Sequence, residues 1–345
     1  MKKIAIIGCG YTSQLSHLPS FTNVKNCNII SLVEKRINLG KHLCKKFRIK
    51  NFYSDYKELY EKHKNELDAV IVIVRREETY KIAKFFLNKN INVFTEKPMA
   101  KKTEEAIKLV EIARKKKLIY QIGYNKLFYS GISLAQKYLN KKKLGKIIYF
   151  RYVNVCGTGF LKNEKYFKSK DPYAKTPKNK RSYPNWLSKK NYELFDEYLN
   201  TNSHTASLLR YFFSEFKKVI LAYLKKRSQV VILDYKNFYG IIESKHYKDF
   251  DWNLYLKIYY ENGFININFP RQQDKKKGIQ ITYKLRGKKK LIISPKITEW
   301  SFNTQATQFI SNIDNNKIDV NSGKDSLSNS VFIEKIFKFY EKKNT

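Results

Sequence analysis

Short runs of apolar residues alternate with amphipathic segments through the first 125 residues of the chain. A short continuous apolar run is typical of a strand that is buried on both faces, and apolar residues three and four apart are typical of a helix. The runs predict six strands, at Ile4–Ile7, Asn28–Val33, Asn51–Tyr53, Ala69–Val74, Asn92–Phe94 and Leu118–Ile122. Repeated strand–helix units of this kind indicate an α/β fold with a parallel, doubly wound sheet.

The pattern changes after residue 126. Lys146–Val155 is predicted to be a longer strand, and Glu193–Phe213 a helix. From Lys218 to Ile293 polar and apolar residues mostly alternate, with Asn262-Gly263 as a hairpin turn, and two helices close the chain. We therefore predict two domains, residues 1–125 and 126–345, the second an α/β domain with an open, largely antiparallel sheet.

The charge of the chain calls for a separate interpretation. Lys and Arg number 69 against 30 acidic residues, which gives a net charge of +39. A balance of this kind suits a nucleic-acid binder, but 58 of the 69 are Lys and they are spread over the whole sequence. Readers of bases and phosphates favour Arg, so a general preference for Lys explains the charge better than nucleic-acid binding does.

Two other classes are disfavoured by the sequence. The apolar runs are far shorter than the roughly 20 residues of a membrane helix, and the N-terminal run breaks at Gly8. The four cysteines form no CxxC pair and have no metal-ligand spacing with the five histidines, so we predict reduced cysteines and no metal site. A cytoplasmic protein is the expectation.

The first candidate for chemistry is the glycine-containing turn Gly8-Cys9-Gly10-Tyr11-Thr12-Ser13, between the first strand and the first helix. Gly8 permits a tight turn, and Gly10 lets a pyrophosphate approach the backbone at the helix N-terminus. Glu34 ends the second strand, where an acidic residue binds ribose hydroxyls and disfavours a 2′-phosphate. Lys35 and Arg36 could instead bind that phosphate. A third interpretation is that these charged residues form an ordinary solvated cluster with no ligand.

The segment Asp68–Pro98 contains a strand, a helix, a second strand and then Glu96-Lys97-Pro98. This arrangement resembles the Gfo/Idh/MocA family, the relatives of glucose–fructose oxidoreductase and inositol dehydrogenase, whose Glu-Lys-Pro signature is intact here. Further matches follow along nearly the whole chain, at His17-Leu18-Pro19, Gly123-Tyr124-Asn125, Leu144-Gly145-Lys146, Ser203-His204 with Leu208-Leu209-Arg210-Tyr211, and Asn321-Ser322-Gly323-Lys324-Asp325.

The resemblance implies a fold and an activity. Residues 1–125 would form a Rossmann domain that binds NAD, with NADP also possible, and residues 126–345 a substrate-binding domain whose open sheet mediates oligomerisation. The reaction would be hydride transfer between nicotinamide and a hydroxyl-bearing carbon of a sugar, polyol or sugar nucleotide, in a homo-oligomer (dimer or tetramer).

The resemblance also assigns roles to individual residues. Lys97 would orient the substrate and take part in proton transfer, Glu96 would help position the cofactor, and His204 would be a second proton acceptor with Asn200 one helical turn before it. Together with the glycine turn, these matches predict cofactor contacts at Gly8, Gly10, Tyr11, Thr12, Glu34, Lys35, Val74, Arg75, Thr79, Glu96, Lys97 and Asn125, and substrate contacts at Lys97, Tyr124, Tyr183, Trp186, Asn200 and His204.

Three departures from the family pattern keep a second hypothesis open. Asn200 stands where the family often has Asp, Val74-Arg75 where it commonly has Thr-Pro, and Thr79 where it usually has His. A non-catalytic dinucleotide-binding sensor or partner protein of the same fold is the alternative.

The stretch Gly157–Lys190 interleaves basic residues with aromatic residues such as Tyr173, Tyr183 and Trp186. It could be a lid over an anionic sugar nucleotide, a nucleic-acid contact or a loop of biased composition.

Overall fold

The computed structural model describes residues 1–157, 165–172, 182–226, 228–247, 252–317 and 322–344. The chain divides into two compact units. The first unit comprises Met1–Tyr124, Glu164–Pro184 and Phe302–Ser330, and the second comprises Asn125–Asn163, Asn185–Ser301 and Val331–Thr345. The first unit thus draws two segments from sequence beyond residue 125; the predicted folding domains, 1–125 and 126–345, stay a prediction.

The first unit contains a sheet of parallel strands. Its strands are β1 (Lys2–Ile7), β2 (Cys27–Val33), β3 (Asn51–Tyr53), β4 (Ala69–Val72), β5 (Asn92–Glu96) and β6 (Tyr120–Gly123). They lie in the order β3-β2-β1-β4-β5-β6, which is the order of a dinucleotide-binding doubly wound fold. The predicted α/β class is confirmed.

Helices follow the strands as the sequence pattern predicts. They are α1 (Leu18–Thr22), α2 (Ile37–Phe47), α3 (Tyr56–His63), α4 (Arg76–Asn88), α5 (Thr103–Lys115), α6 (Ile132–Leu139), α7 (Tyr192–Phe213), α8 (Ser301–Asp314) and α9 (Gly323–Asn344). One feature was not predicted: the first helix begins with a π turn at Ser13–His17, directly before α1. Turns of this kind occur often at functional sites.

The core of the first unit lies beside the middle strands of its sheet. Ile4, Ile6 and Ile71 are fully buried, as expected for strands that are covered on both faces. Phe94 of β5 packs edge-on against Phe309 of α8, with ring centroids 5.6 Å apart. Helix α8, which comes after the strands of the second unit in the sequence, therefore completes the core of the first unit.

The second unit contains the larger sheet. Its strands are β7 (Ile147–Gly157), β8 (Lys218–Lys225), β9 (Ser228–Asp234), β10 (Tyr239–Tyr247), β11 (Asn253–Tyr260), β12 (Gly263–Asn268), β13 (Gln280–Leu285) and β14 (Leu291–Ile293). The strand order is β14-β13-β12-β11-β7-β10-β9-β8. Strands β7 and β10 pair in parallel, and the other neighbouring pairs described are antiparallel, which confirms the predicted largely antiparallel sheet.

The two faces of this sheet differ in burial. Alternate residues such as Phe150, Tyr152 and Leu256 are fully buried. On the opposite face, Tyr149 stacks between Tyr239 and Tyr259, with ring centroids 5.3 and 4.5 Å apart, and Tyr239 is 42% exposed. We call this second side the open face.

The predicted hairpin turn is displaced by one residue. Tyr260 pairs with Gly263, so the turn consists of Glu261 and Asn262, and Gly263 already belongs to β12. A side chain at Gly263 would collide with the carbonyl oxygen of Lys284 in β13. The glycine is therefore explained by the close approach of the next strand, which a pattern of turn residues does not reveal.

Across the residues that the structure describes, no helix is long and apolar enough to cross a membrane. In the same ranges no group of three or more His, Cys, Asp or Glu side chains is arranged to hold a metal ion. The four cysteines are free.

Candidate active site

The glycine turn after β1 has one crowded glycine and one open glycine. Gly8 has φ +93°, and a side chain there would collide with the carbonyl of Ile73 in the strand–helix turn after β4. At Gly10 a Cβ atom would meet nothing within 4 Å. Gly8 is thus required by the fold, whereas the open space beside Gly10, at the start of the first helix, is room for a group from outside the chain.

Tyr11 and Thr12 continue this turn into the helix. The Tyr11 side chain is 48% exposed and lies near Tyr166, with ring centroids 6.3 Å apart. The backbone N–H of Gln14 donates to the carbonyl of Gly10 at 3.0 Å, so regular helical bonding starts within the turn. The unbonded N–H groups of this first turn form the positive end of the helix dipole.

Glu34 is 8% exposed at the end of β2 and binds groups on both sides. Its Oε2 accepts a hydrogen bond from the Cys9 N–H at 2.9 Å, so it ties the β2 end to the glycine turn. The Arg36 guanidinium donates from Nε to Oε1 and from Nη2 to Oε2, each at 2.9 Å. Burial opposes ionisation, but the hydrogen bonds from Arg36 and Cys9 outweigh it and lower the pKa of Glu34. Lys35 beside it is exposed.

Glu96 joins three parts of the first unit at the end of β5. Its Oε1 lies 2.6 Å from Nε2 of His17, and its Oε2 accepts from the N–H of Lys97 at 3.0 Å. The His17 ring is 2% exposed and packs edge-on against Phe94 at 5.5 Å between centroids. A Cβ at Gly123, the last residue of β6, would come within 2.9 Å of Oε1, so the glycine leaves room for this carboxylate.

Lys97 follows Glu96 and is only partly exposed. Burial of its ammonium group lowers the pKa, the Glu96 carboxylate opposes this, and the positive charge of Arg76 adds to the lowering. The net result is a pKa of about 8. An amine with such a pKa exchanges protons near neutral pH, as an acid–base catalyst must.

The turn between β4 and α4 carries the next group of predicted cofactor contacts. Val74 and Arg75 are partly exposed just after the strand, and Arg75 caps α4. Thr79 is buried, and its hydroxyl donates to the carbonyl of Arg75 at 3.2 Å. The buried Thr79 hydroxyl thus stabilises the first turn of α4 through a hydrogen bond to its backbone.

The residues after β6 are buried. Tyr124 is 1% exposed, and its N–H donates to the carbonyl of Ile122 at 2.8 Å. Asn125, which belongs to the second unit, is also 1% exposed and donates from its side chain to the hydroxyl of Ser301 at 3.2 Å.

Tyr183 and Trp186, predicted as parts of one substrate loop, fall into different units. Tyr183 covers the buried Lys101, whose Nζ lies 3.7 Å from its ring centroid. Trp186 packs edge-on against Phe195 of α7, with centroids 5.7 Å apart. Tyr173 of the same stretch lies outside the described residues.

Helix α7 of the second unit carries Asn200 and His204. His204 is 8% exposed, whereas Asn200, four residues earlier, is exposed at the surface of the second unit's helix. The spacing of four residues places them on one helical face, as predicted.

Within the first unit, the fold brings most of the predicted residues to one edge. Parallel strands end at the same edge of a sheet, and ligands bind there in open α/β sheets. The residues that follow the carboxyl ends of strands in the first unit are Gly8, Gly10, Glu34, Val74, Arg75, Lys97 and Tyr124. His17 was absent from the predicted site, although its His-Leu-Pro motif was a signal that could have included it.

This strand order, with a glycine turn after β1 and an acidic residue after β2, defines a dinucleotide-binding Rossmann domain. Residues 2–124 match the family model of the oxidoreductase family with an NAD-binding Rossmann fold, Gfo/Idh/MocA. The resemblance to the Gfo/Idh/MocA oxidoreductase family noted in the sequence is therefore confirmed for residues 2–124.

A curated relative and several solved structures extend this finding. The putative oxidoreductase YceM of Salmonella typhimurium is 27% identical over 126 residues, which span 36% of this chain and 39% of the length of YceM. A 3-ketoreductase from Actinomadura kijaniata, solved with NADP and TDP-benzene, superposes with a TM-score of 0.75 at 13% identity and covers 96% of both chains. A dehydrogenase from Clostridium difficile gives 0.73 at 16% identity, covering 98% of this chain and 99% of its own.

A third solved structure, an oxidoreductase from Agrobacterium radiobacter in complex with NAD+, L-tartaric acid and magnesium, gives a TM-score of 0.74 at 14% identity over 96% and 94% of the chains. At identities of 13–16% these likenesses establish the fold of each unit.

Proposed function

We propose that the protein is an NAD(P)-dependent oxidoreductase that transfers a hydride between nicotinamide and a hydroxyl-bearing carbon of a sugar, polyol or sugar nucleotide, in the cytoplasm. The observation that carries the proposal is the setting of Lys97. This residue of the Glu-Lys-Pro signature has a pKa of about 8 and stands at the carboxyl edge of a sheet whose first turn fits a dinucleotide.

The residues of the first unit fit the cofactor. The space beside Gly10 and the positive end of the first helix suit a pyrophosphate, and the ionised Glu34 suits the hydroxyls of the adenosine ribose. We further assign Tyr11, Thr12, Lys35, Val74, Arg75, Thr79, Glu96, Lys97 and Asn125 to cofactor binding. When bound, nicotinamide supplies the hydride acceptor or donor of the reaction.

In the proposed reaction, Lys97 exchanges a proton with the hydroxyl group of the substrate. In alcohol oxidation the alcohol carbon would lose its hydrogen as a hydride, which bound nicotinamide would accept, and the neutral amine of Lys97 would accept the hydroxyl proton. The C–O bond becomes a carbonyl. In the reverse direction the Lys97 ammonium returns the proton to the oxygen as the carbon accepts the hydride.

We assign a supporting role in the same reaction to Asn200 and His204 of α7. His204 can accept or donate a proton near neutral pH. An amide at Asn200 can hydrogen-bond a substrate hydroxyl or orient the imidazole, but it cannot stabilise an imidazolium by charge. Tyr124, Tyr183 and Trp186 complete the proposed substrate contacts.

Among the possible substrates, we favour a sugar nucleotide. The structurally similar 3-ketoreductase was solved with TDP-benzene, and a net charge of +39 attracts an anionic ligand at low salt. For the cofactor, we favour NAD over NADP because Glu34 would repel a 2′-phosphate.

The test combines cofactor analysis with a turnover screen. The cofactor that copurifies with the protein is identified, and NADH consumption is then followed with UDP- and dTDP-linked keto sugars, with the corresponding sugar nucleotides and NAD assayed in reverse. Turnover of at least one substrate supports the proposal. Tight binding of NAD(H) without turnover across the panel would instead select the non-catalytic sensor.

We also propose that the active form is a homo-oligomer that pairs through the open face. This face carries the stacked tyrosines and the exposed Leu221 and Tyr223, 44% and 54% exposed, and an apolar patch of this kind is typical of an interface. Light scattering of Tyr239→Lys should give a smaller assembly than the wild type. Ile297→Lys, at a residue 85% exposed and outside the strands, should leave the mass unchanged.

A further inference from the structure

Residues 165–172, which we call the strap, belong to the first unit and lie near the ends of β1 and β2. Gln14 of the first helix binds the strap backbone twice: its Oε1 accepts from the Phe167 N–H at 2.9 Å, and its Nε2 donates to the Phe167 carbonyl at 3.2 Å. The same Nε2 donates to the carbonyl of Cys9 at 3.1 Å, within the glycine turn. The Gln14 side chain therefore links the strap to the turn that we assign to the pyrophosphate.

The strap also contacts α2, the helix that follows β2. The Phe167 ring stacks on His42 at 3.8 Å between centroids, with an interplanar angle of 10°. Farther along, Asp171 accepts from the side chain of Asn38 at 2.6 Å and from the N–H of Leu39 at 3.1 Å. Ser169 donates to the same carboxylate at 2.6 Å. The strap thus places a negative charge on the N-terminal turn of α2.

This position matters for the choice between the two cofactors. The adenosine ribose is bound by the acidic residue at the end of β2, so a 2′-phosphate would stand at the turn between β2 and α2. Two sources of positive potential could receive it there: the Arg36 guanidinium and the N-terminal N–H groups of α2. Glu34 already binds the Arg36 guanidinium through two hydrogen bonds. Asp171 already binds an N–H group at the N-terminus of α2, that of Leu39.

We propose that Asp171 is a specificity residue that, together with Glu34, makes the site select NAD(H) over NADP(H). Its carboxylate occupies the α2 N-terminus that a 2′-phosphate would use and adds a like charge beside it. The proposal rests on the proposed function, because it requires that the first unit bind a nicotinamide dinucleotide. The new element is that a residue of the strap, distant in sequence from the Rossmann motifs, controls the selection of NAD(H) over NADP(H).

The test compares NADH and NADPH binding by fluorescence titration at low salt. Asp171→Asn removes the charge and keeps an oxygen that can accept from the Leu39 N–H. We expect the Kd for NADPH to fall by about three- to tenfold, and the Kd for NADH to stay within about twofold. The gain for NADPH should shrink as salt rises, because the effect is one of charge. Asp171→Glu keeps the charge and should keep the wild-type preference.

Asp55 provides a matched control. It caps α3 in the same way, with Oδ1 accepting from the Lys57 N–H at 2.7 Å, but stands outside the turn between β2 and α2. Asp55→Asn should therefore change neither Kd.

Three results would overturn the proposal. In the first, Asp171→Asn leaves the NADPH-to-NADH ratio of Kd values unchanged. In the second, it weakens both cofactors by the same factor, which would make the strap contact purely structural. In the third, the wild type binds NADPH more tightly than NADH. Failure of the wild type to bind either dinucleotide is a different result, because it would overturn the proposed function itself.

Discussion

Lys97 and His204 are the two residues assigned to proton transfer, and the chain holds them in different ways. Lys97 stands in a turn that is surrounded by charged groups of its own unit: the carboxylate of Glu96, which also binds His17, and the guanidinium of Arg76. His204 stands within a regular helix, where its own carbonyl accepts from the Ser207 hydroxyl at 2.9 Å and the residue one turn earlier is an amide.

The different surroundings of Lys97 and His204 suit them to different roles in proton transfer. The pKa of Lys97 is adjusted by side chains that can be replaced one at a time, so its protonation state can be tested within the first unit. The neighbour of His204 on the helix face, Asn200, carries no charge with which to hold an imidazolium. We therefore assign the principal proton transfer to Lys97 and an assisting role to His204.

The largest expected effect comes from removing the amine. Lys97→Met keeps the length of the side chain and eliminates the proton acceptor, so kcat should fall by about 10²–10⁴ while the Kd for NADH changes little. Stopped-flow or steady-state assays give kcat, and fluorescence titration gives the Kd. Equal losses of kcat and cofactor affinity would point to a binding role.

Replacing His204 should have a smaller effect. His204→Asn is expected to lower kcat by about 10- to 100-fold, because Lys97 still accepts the proton. In the double variant with Lys97→Met the combined loss should be less than the product of the two, because we propose that both residues serve one proton transfer. Strictly multiplicative losses would contradict a shared step.

His17 should act through Glu96. His17→Phe fills the space among the neighbouring aromatic rings but leaves Oε1 of Glu96 without its partner at 2.6 Å. We expect kcat to fall by about tenfold with the Kd for NADH nearly unchanged, and His17→Gln, which can still hydrogen-bond, to recover part of the loss. If both variants lose only thermal stability, His17 is a core residue alone.

The smallest expected effect is a shift in the pH profile. Because the neutral amine of Lys97 accepts the proton, kcat/KM for alcohol oxidation should rise about tenfold per pH unit below a pKa of about 8 and level off above it. Arg76→Gln removes a charge that lowers this pKa, so the rising limb should move to higher pH. Arg114→Gln, in the last turn of α5, is the matched control and should leave the profile in place. An unchanged pH profile in Arg76→Gln would show that burial, without Arg76, lowers the pKa of Lys97.

The sequence predicted the sheets better than the contacts of the site. Strands of the first unit appear as apolar runs because both of their faces are buried. The pairing of His17 with Glu96 joins residues 79 apart, and that of Asp171 with Leu39 residues 132 apart. Such contacts depend on how elements pack, which local periodicity does not encode.

The motif predicts the proton-transfer role of Lys97, but the groups that set its pKa are seen only in the structure. A lysine can accept a proton if burial and neighbouring charge lower its pKa, and local sequence patterns do not identify the residue that supplies that charge. Arg76, which supplies part of it, opens α4, twenty-one positions earlier in the chain. The Glu-Lys-Pro motif located the residue, and tertiary packing determines its acidity.

The most direct test of the account is NADH consumption by the wild type and by Lys97→Met, with each keto sugar nucleotide of the panel and with the NADH affinity of both proteins measured in parallel. The account predicts turnover by the wild type on at least one substrate, and a rate at least about 100-fold lower for the variant at an unchanged Kd for NADH. Turnover by Lys97→Met at the wild-type rate would contradict it.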